Sequence, residues 1–254
     1  MHDHGINIDT VVQDIRPEIT HNGKPLIEIR NVDKVYQTAV GEFYALKNIN
    51  ISIYPAEFVC IVGKSGSGKT TLANMITGVD SLTAGEVVVN GVSVHSMNED
   101  RLALWRGRNL GVIYQTFELM PMLTLLDNVM LPMDFCGLYR PRRSRELALD
   151  LLRMVELEDQ VDKLPNAISG GQQQRVAIAM ALANDPPIFV ADEPTGRLDS
   201  VTAETIFQCF EQLIAQGKTI LMVTHDRSEA ERSSRILELA DGEFINQNYR
   251  KDDD

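Results

Sequence analysis

Cysteine is scarce in this 254-residue chain: Cys60, Cys136 and Cys209 stand far apart, and none belongs to a C-x-x-C pair. That excludes a disulfide framework or a zinc knot and points to isolated thiols in a reducing compartment. Long apolar runs are missing too. The longest, around 58–62 and 119–126, fall far short of the about 18 residues that cross a bilayer, so no direct membrane insertion is expected. The opening Met-His-Asp-His lacks a basic stretch followed by an apolar one, so no secretory signal is expected. Basic residues are outnumbered, 24 Lys and Arg against 36 Asp and Glu, for a net charge of −12 and a pI of about 4.9. So acidic a chain is poorly suited to gripping nucleic acid through its phosphates or to adhering to anionic lipid. Small phosphate ligands stay open, because they need only a local positive site.

The remaining composition, 44% hydrophobic and 24% charged, is that of an ordinary soluble globule and excludes a disordered or fibrous protein. A chain of this length is one large domain, or one domain with a lobe grafted into it. Residues 1–24 are polar and unperiodic and read as a flexible extension, in which His2 and His4 are terminal polar residues sooner than metal ligands. Order is expected from the short alternating stretch 26–29. Strands follow at 49–53 and 58–62, separated by Pro55, then a helix after residue 68 with Leu72, Met75 and Ile76 on one face. Asn90-Gly91 between apolar runs at 86–89 and 92–94 predicts a hairpin with a type I′ turn. After a strand at 110–114 the texture changes. Helical stretches at about 124–137 and 143–157, with loop-like Pro121, Pro132, Pro141 and Pro165 between them, suggest a helical subdomain over about 116–168.

Strands at 188–191 and 219–224 then alternate with helices at about 171–184 and 200–216, and a short helix and a hairpin at 240–242 close the domain before the acidic tail 247–254. This is an α/β pattern: a mixed sheet flanked by helices, with an antiparallel β portion near its N-terminus and an inserted α-helical subdomain. The domain proper is expected over 25–246, its core formed by 25–115 and 169–246.

Gly63-Lys64-Ser65-Gly66-Ser67-Gly68-Lys69-Thr70 satisfies G-x-x-x-x-G-K-[ST] between an apolar strand and a helical pattern, with Thr71 next in line. Glycines let the backbone curl so that successive N–H groups point at phosphate oxygens, and the helix adds its positive end. Lys69 then reaches the terminal phosphates and the Thr70 hydroxyl can ligate Mg²⁺. Downstream, the apolar run 188–191 delivers Asp192-Glu193 to a strand end, where ligands of parallel sheets collect. Neighbouring strand residues point oppositely, so the two carboxylates are expected to do different jobs. One holds Mg²⁺; the other activates the water that attacks the γ-phosphate.

Ser169-Gly170-Gly171-Gln172, following Ile168 and opening a helix, offers a hydroxyl and free N–H groups, either as an anion site or as an ordinary helix cap. Taken together these motifs resemble the ATP-binding cassette (ABC) ATPases, whose signature reads Leu-Ser-Gly-Gly-Gln, with isoleucine here in place of leucine. The resemblance covers 26–246 and implies a P-loop NTPase core that binds ATP and Mg²⁺. It implies that Gln115 contacts Mg²⁺ and senses the γ-phosphate, that His225 contacts the γ-phosphate in catalysis, and that Asp199 lies at a dimer seam. Tyr36 takes the place of the aromatic that stacks on adenine, with Phe43 and Tyr44 as neighbouring competitors. Ser169–Gln172 would act on the ATP of a second copy, in an ATP-dependent homodimer.

Gln172-Gln173-Gln174-Arg175 and the run 191–196 look most like the macrolide-export, lipoprotein-release and cell-division branch. That implies an integral-membrane permease partner and a peripheral place on the cytoplasmic face of the inner membrane. A nucleotide-gated scaffold of a membrane complex is the alternative; a soluble ATPase acting on DNA or ribosomes fits the acidic balance poorly. Arg197 and Met180 depart from the family pattern. The methionines at 120 and 122 suit either a permease helix or the lobe's own core.

Overall fold

The computed structural model describes residues 23–39, 41–116, 118–196 and 198–249, the side chains of 247–249 excepted. The expectations for residues 1–22, including His2 and His4, for Arg197 and for residues 250–254 of the tail lie outside the described residues.

Two sheets carry the fold. The first is antiparallel and four-stranded, in the order β2-β1-β4-β5, built from β1 (Ile27–Thr38), β2 (Gly41–Ile53), β4 (Ala84–Val89) and β5 (Val92–Ser93). The second is six-stranded, in the order β10-β9-β3-β8-β7-β6. Its strands are β3 (Phe58–Val62), β6 (Leu110–Ile113), β7 (Ile188–Asp192), β8 (Thr219–Thr224), β9 (Arg235–Ala240) and β10 (Glu243–Tyr249). All its neighbours run parallel except the β9–β10 hairpin. The helices are α1 (Lys69–Thr77), α2 (Glu99–Asn109), α3 (Leu125–Phe135), α4 (Pro141–Met154), α5 (Gly170–Leu182), α6 (Ser200–Ala215) and the short α7 (Arg227–Ala230).

Because side chains alternate across a strand, the central strands feed two separate cores. Phe58, Cys60, Phe189, Ala191, Ile220 and Met222 join helices α3 to α6 in one cluster. Val59, Ile61, Ile188, Val190, Leu221 and Val223 join α1 and the antiparallel sheet in the other. The strands are therefore buried on both faces, which is why they read as continuous apolar runs. The Cys60 and Cys209 thiols are buried and free, and burial pushes both upward, Cys209 to about 11.

Several expectations need correction. β1 and β2 run far beyond 26–29 and 49–53, because register shifts and left-handed residues, Asn31 (φ 48°) and Asn48 (φ 47°), interrupt their alternation. Helix α2, unforeseen in the sequence, buries only Leu102; its cap, Asn98 accepting from Arg101 N, and the acids Glu99 and Asp100 in its first turn define it instead. Pro132 lies inside α3, not in a loop. It stands one turn from the helix end, where its carbonyl still accepts from Cys136 N at 3.2 Å and Asn184 Nδ2 at 3.0 Å. Pro141 opens α4 at a position that tolerates a missing N–H. The expected turn at Asn90-Gly91 is there, with φ of 50° and 73° and Val89 paired to Val92. No helix among the described residues is long and apolar enough to cross a membrane.

Helix α6 is pinned to the sheet by Phe210, fully buried and edge-on to Phe58 at 6.0 Å and Phe207 at 6.2 Å. Phe210→Ala should cost about 3–5 kcal/mol, read as a lower midpoint in urea at unchanged slope.

Candidate active site

The curl after β3 is dictated by space. A Cβ on Gly68, whose φ is 105°, would sit 2.5 Å from the Ala45 carbonyl oxygen, and one on Gly63 would collide with the Leu239 carbonyl. Gly68 is also the N-cap of α1 and supplies no side-chain cap, so the first N–H groups of α1 are left to another acceptor. Lys69 is buried, and its Nζ donates to the carbonyls of Gly63 at 2.8 Å and Lys64 at 3.1 Å. The side chains of Lys64 and Ser65, like Gly66, are exposed, while the Ser67 hydroxyl is buried with no hydrogen-bond partner among the described residues. A helix start without a side-chain cap, a buried ammonium hydrogen-bonded to two neutral carbonyls and an orphaned hydroxyl fit an anionic phosphate chain.

Asp192 ends β7 beside this loop, with the Thr70 hydroxyl close enough to lower its carboxyl. Burial pushes its carboxyl up, Glu193 adds to the rise, and Thr70 and Lys69 oppose it. A hydroxyl and a carboxylate are hard oxygen donors, a set that suits Mg²⁺. Glu193 is not a strand residue: its φ is 46°, a left-handed turn. The expected divergence of the two carboxylates is present, but the turn at Glu193 causes it, not strand alternation. Glu193 Oε2 accepts from Gln115 Nε2 at 3.1 Å, and Oε1 lies 3.0 Å from His225 Nδ1. The structure thus brings Gln115 to Glu193, and Asp192 to Thr70. One further carboxylate, that of Glu229, accepts from both Thr195 and Thr224, which flank this pair in the chain.

The other expected residues lie around this centre. Ser169 caps α5 and forms a reciprocal box with Gln172: its hydroxyl accepts from Gln172 N at 3.3 Å, while its own N–H donates to Gln172 Oε1 at 2.9 Å. Ser169 and Gly170 are exposed, and a Cβ on Gly171 would meet Leu198 and Thr202 at ordinary contact distance. Asp199 caps α6, accepting from Val201 N at 3.1 Å and Thr202 N at 3.0 Å; the Thr202 hydrogen bonds lead in holding its carboxyl below the usual range. Tyr36 contacts Thr71, and its hydroxyl donates to Asp80 Oδ2 at 2.7 Å. Opposite it in the sheet stands Phe43, whereas Tyr44 faces Val35 and so points to the other side. Lys34 lies over the Tyr36 ring at 4.6 Å. Neither Lys34, Asp80 nor Glu229 carries a sequence signal of its own; only their placement reveals them.

This arrangement defines a nucleoside-triphosphate-binding α/β protein with a strand-to-helix phosphate loop. The ABC transporter family profile matches residues 46–196. The chain is 46% identical to the ABC transporter ATP-binding protein MJ0796 of Methanocaldococcus jannaschii over 222 residues, 86% of this chain and 94% of that protein. It is 40% identical to the macrolide export ATP-binding/permease protein MacB of Hyphomonas neptunium, over 89% of this chain but 35% of that protein. Two dimeric structures of MJ0796 superpose on it. One, in a post-hydrolysis state bound to ADP and Pi, has a TM-score of 0.84 at 44% identity and covers 88% of this chain and 98% of that one. The other has a TM-score of 0.83 at 45% identity, with the same coverage. The chain belongs to the ABC transporter family and is an ATP-binding cassette ATPase.

Since burial raises the Asp192 carboxyl in the folded state, the charge it carries at neutral pH works against folding. Its favourable contribution is complete below the ordinary aspartate range and is lost as pH rises through the elevated value. Asp192→Asn should therefore raise the Tm of the ligand-free chain at pH 7. Calorimetry across pH should show the gain vanish in acid.

Proposed function

We propose that this chain is the ATP-hydrolysing subunit of a membrane transporter and works as a homodimer closed around two Mg-ATP. The observation that carries the reading is the placement of Glu193 between Gln115 and His225, beside the Thr70–Asp192 pair and the phosphate loop. The loop amides of residues 63–71 and the Lys69 ammonium bind the phosphates. Thr70 and Asp192, with Gln115 completing the set, hold Mg²⁺, which when bound neutralises charge on the terminal phosphates. Glu193 accepts the proton of the attacking water, with Gln115 and His225 fixing its carboxylate. Tyr36 stacks on adenine. Ser169 and Gly170 are exposed, with Gly171 and Gln172 half-buried beside them, where they can meet the ATP of a second copy, and Asp199 shapes the seam. That MJ0796 has been solved as a dimer bound to ADP and Pi supports the arrangement.

The partner we assign is an integral-membrane permease of the macrolide-export or lipoprotein-release type, with the chain peripheral on the cytoplasmic face and holding no nucleic acid. We take 25–115 and 169–246 as the nucleotide core and 116–168 as the helical subdomain that receives the permease. An apolar groove of about 460 Å³ lies between α2, β6, α3 and α5, with Leu104, Leu131, Phe135, Met120 and Met180 among its walls. Leu104 and Phe135 are exposed there, at 45% and 67%. A permease helix is the occupant the comparison supports, because the MacB relative joins a matching cassette to a permease in one chain. Met180, a departure from the family pattern, is thereby a groove wall, and Met122 is 84% exposed beyond it.

Two experiments test this. Glu193→Gln should leave ATP binding intact and cut turnover by about 10²–10⁴, the worth of a positioned base. Light scattering should then show an ATP-dependent dimer; wild-type turnover would remove Glu193 from the role. Met120→Glu should keep the basal ATPase rate and abolish stimulation by the reconstituted permease. Stimulation retained in that variant would place the docking elsewhere.

A further inference from the structure

The proposed function uses Tyr36 as a base-stacking ring but leaves unexplained what lies behind it. Lys34 Nζ donates to Asp80 Oδ1 at 2.7 Å and to the Ser81 carbonyl at 2.7 Å, and the same ammonium sits 4.6 Å from the centroid of the Tyr36 ring. The Tyr36 hydroxyl donates to the other oxygen of the same carboxylate, Asp80 Oδ2, at 2.7 Å. Three side chains therefore close a loop: cation against ring face, carboxylate on the cation, hydroxyl on the carboxylate. Lys34 has a side chain only 8% exposed, whereas Tyr36 is 36% exposed. Its ring is covered by the ammonium while part of its surface stays open, and its hydroxyl touches Thr71 of the phosphate-loop helix.

We propose that Lys34 and Asp80 are positioning residues that hold the Tyr36 ring for a nucleobase and so set the preference of this site for a nucleoside triphosphate over a bare triphosphate. The proposal rests on the reading of Tyr36 as the base-stacking residue. A buried ammonium cannot be left without its carboxylate cheaply, so the Lys34–Asp80 pair is a rigid support. The ring cannot swing without giving up both the cation contact and the hydrogen bond. Burial pushes the Asp80 carboxyl up, but the hydrogen bonds from Lys34 and Tyr36 outweigh it and hold the group below its ordinary range. Burial, with Asp80, raises the Tyr36 phenol, which keeps its donor proton. Held this way, the ring offers a prepaid platform for a base–aromatic stack.

The test uses the full chain with Mg²⁺, titrated calorimetrically with ATP and separately with inorganic tripolyphosphate. Lys34→Met keeps length and apolar stem without the charge. It should weaken ATP binding by about tenfold, the scale of a lost base–aromatic stack, and leave tripolyphosphate binding unchanged. In turnover assays KM for ATP should rise with kcat retained, and Lys34→Arg should restore the ATP preference. An unchanged ratio of the two affinities in Lys34→Met, or an equal fall in both, overturns the proposal. If that variant does not fold, Asp80→Asn added to Lys34→Met carries the same comparison, since no buried charge is then left unpaired. Tyr36→Ala separates the two levels. If it leaves the ratio unmoved, the base-stacking reading fails; if it shifts the ratio while neither Lys34→Met nor its combination with Asp80→Asn does, stacking stands and the support is wrong.

Discussion

A buried ammonium held by two main-chain carbonyls is the constraint around which this molecule is arranged. Lys69 is 5% exposed, yet its hydrogen bonds go to Gly63 and Lys64 of its own loop. Neutral carbonyls offset only part of the cost of removing a charge from water. The site is therefore stable in waiting and improved by an anion, which explains how a chain of net charge −12 can take a polyphosphate ligand. The rest of the fold supplies the walls. Ala45 and Leu239, from the first sheet and from β9, close on Gly68 and Gly63 so tightly that no side chain fits there.

The second constraint is the left-handed backbone of Glu193. A non-glycine residue at φ 46° is held there by its neighbours. Its N–H donates to Val223 at 2.9 Å, and its carbonyl accepts from Gly196 at 3.3 Å. Beyond the turn, Thr195 and Thr224 both donate to Glu229, so one carboxylate ties the segment after Glu193 to the residue before His225. Glu193 and His225 are thereby held from both sides of the β7–β8 pair. In the proposed function, a γ-phosphate arriving there would meet groups already in place, which is the condition for efficient proton transfer.

The residues of the proposed chemistry are more legible in the sequence than the scaffold is. The phosphate loop and the acid pair are local, and their residue types follow directly from what phosphate and Mg²⁺ require. The apolar runs of β3, β7 and β8 are equally plain, because strands buried on both faces show no alternation to misread. What escaped depends on distant contacts or on broken periodicity. Bulges at Asn31 and Asn48 hide the length of β1 and β2, and a single buried leucine gives α2 almost no apolar stripe. Lys34, Asp80 and Glu229 look like ordinary surface charges until the fold folds them inward. Gln172, read as a group facing a partner's nucleotide, spends its side chain on the cap of its own helix.

That last point bears on how two copies would meet. Helix α1 begins without a side-chain cap, so a ligand supplies the acceptor its N–H groups lack. Helix α5 is different, since Ser169 and Gln172 already satisfy each other. In that box the Ser169 hydroxyl is an acceptor, and an acceptor hydroxyl retains its O–H for donation. An exposed serine that caps its helix and still has a proton to give can add a hydrogen bond to a phosphate across the proposed interface without uncapping α5. The phosphate loop needs its anion to be complete, whereas the signature helix does not. Of the two half-sites, only the first should therefore hold nucleotide in a single copy, and the second should engage after it.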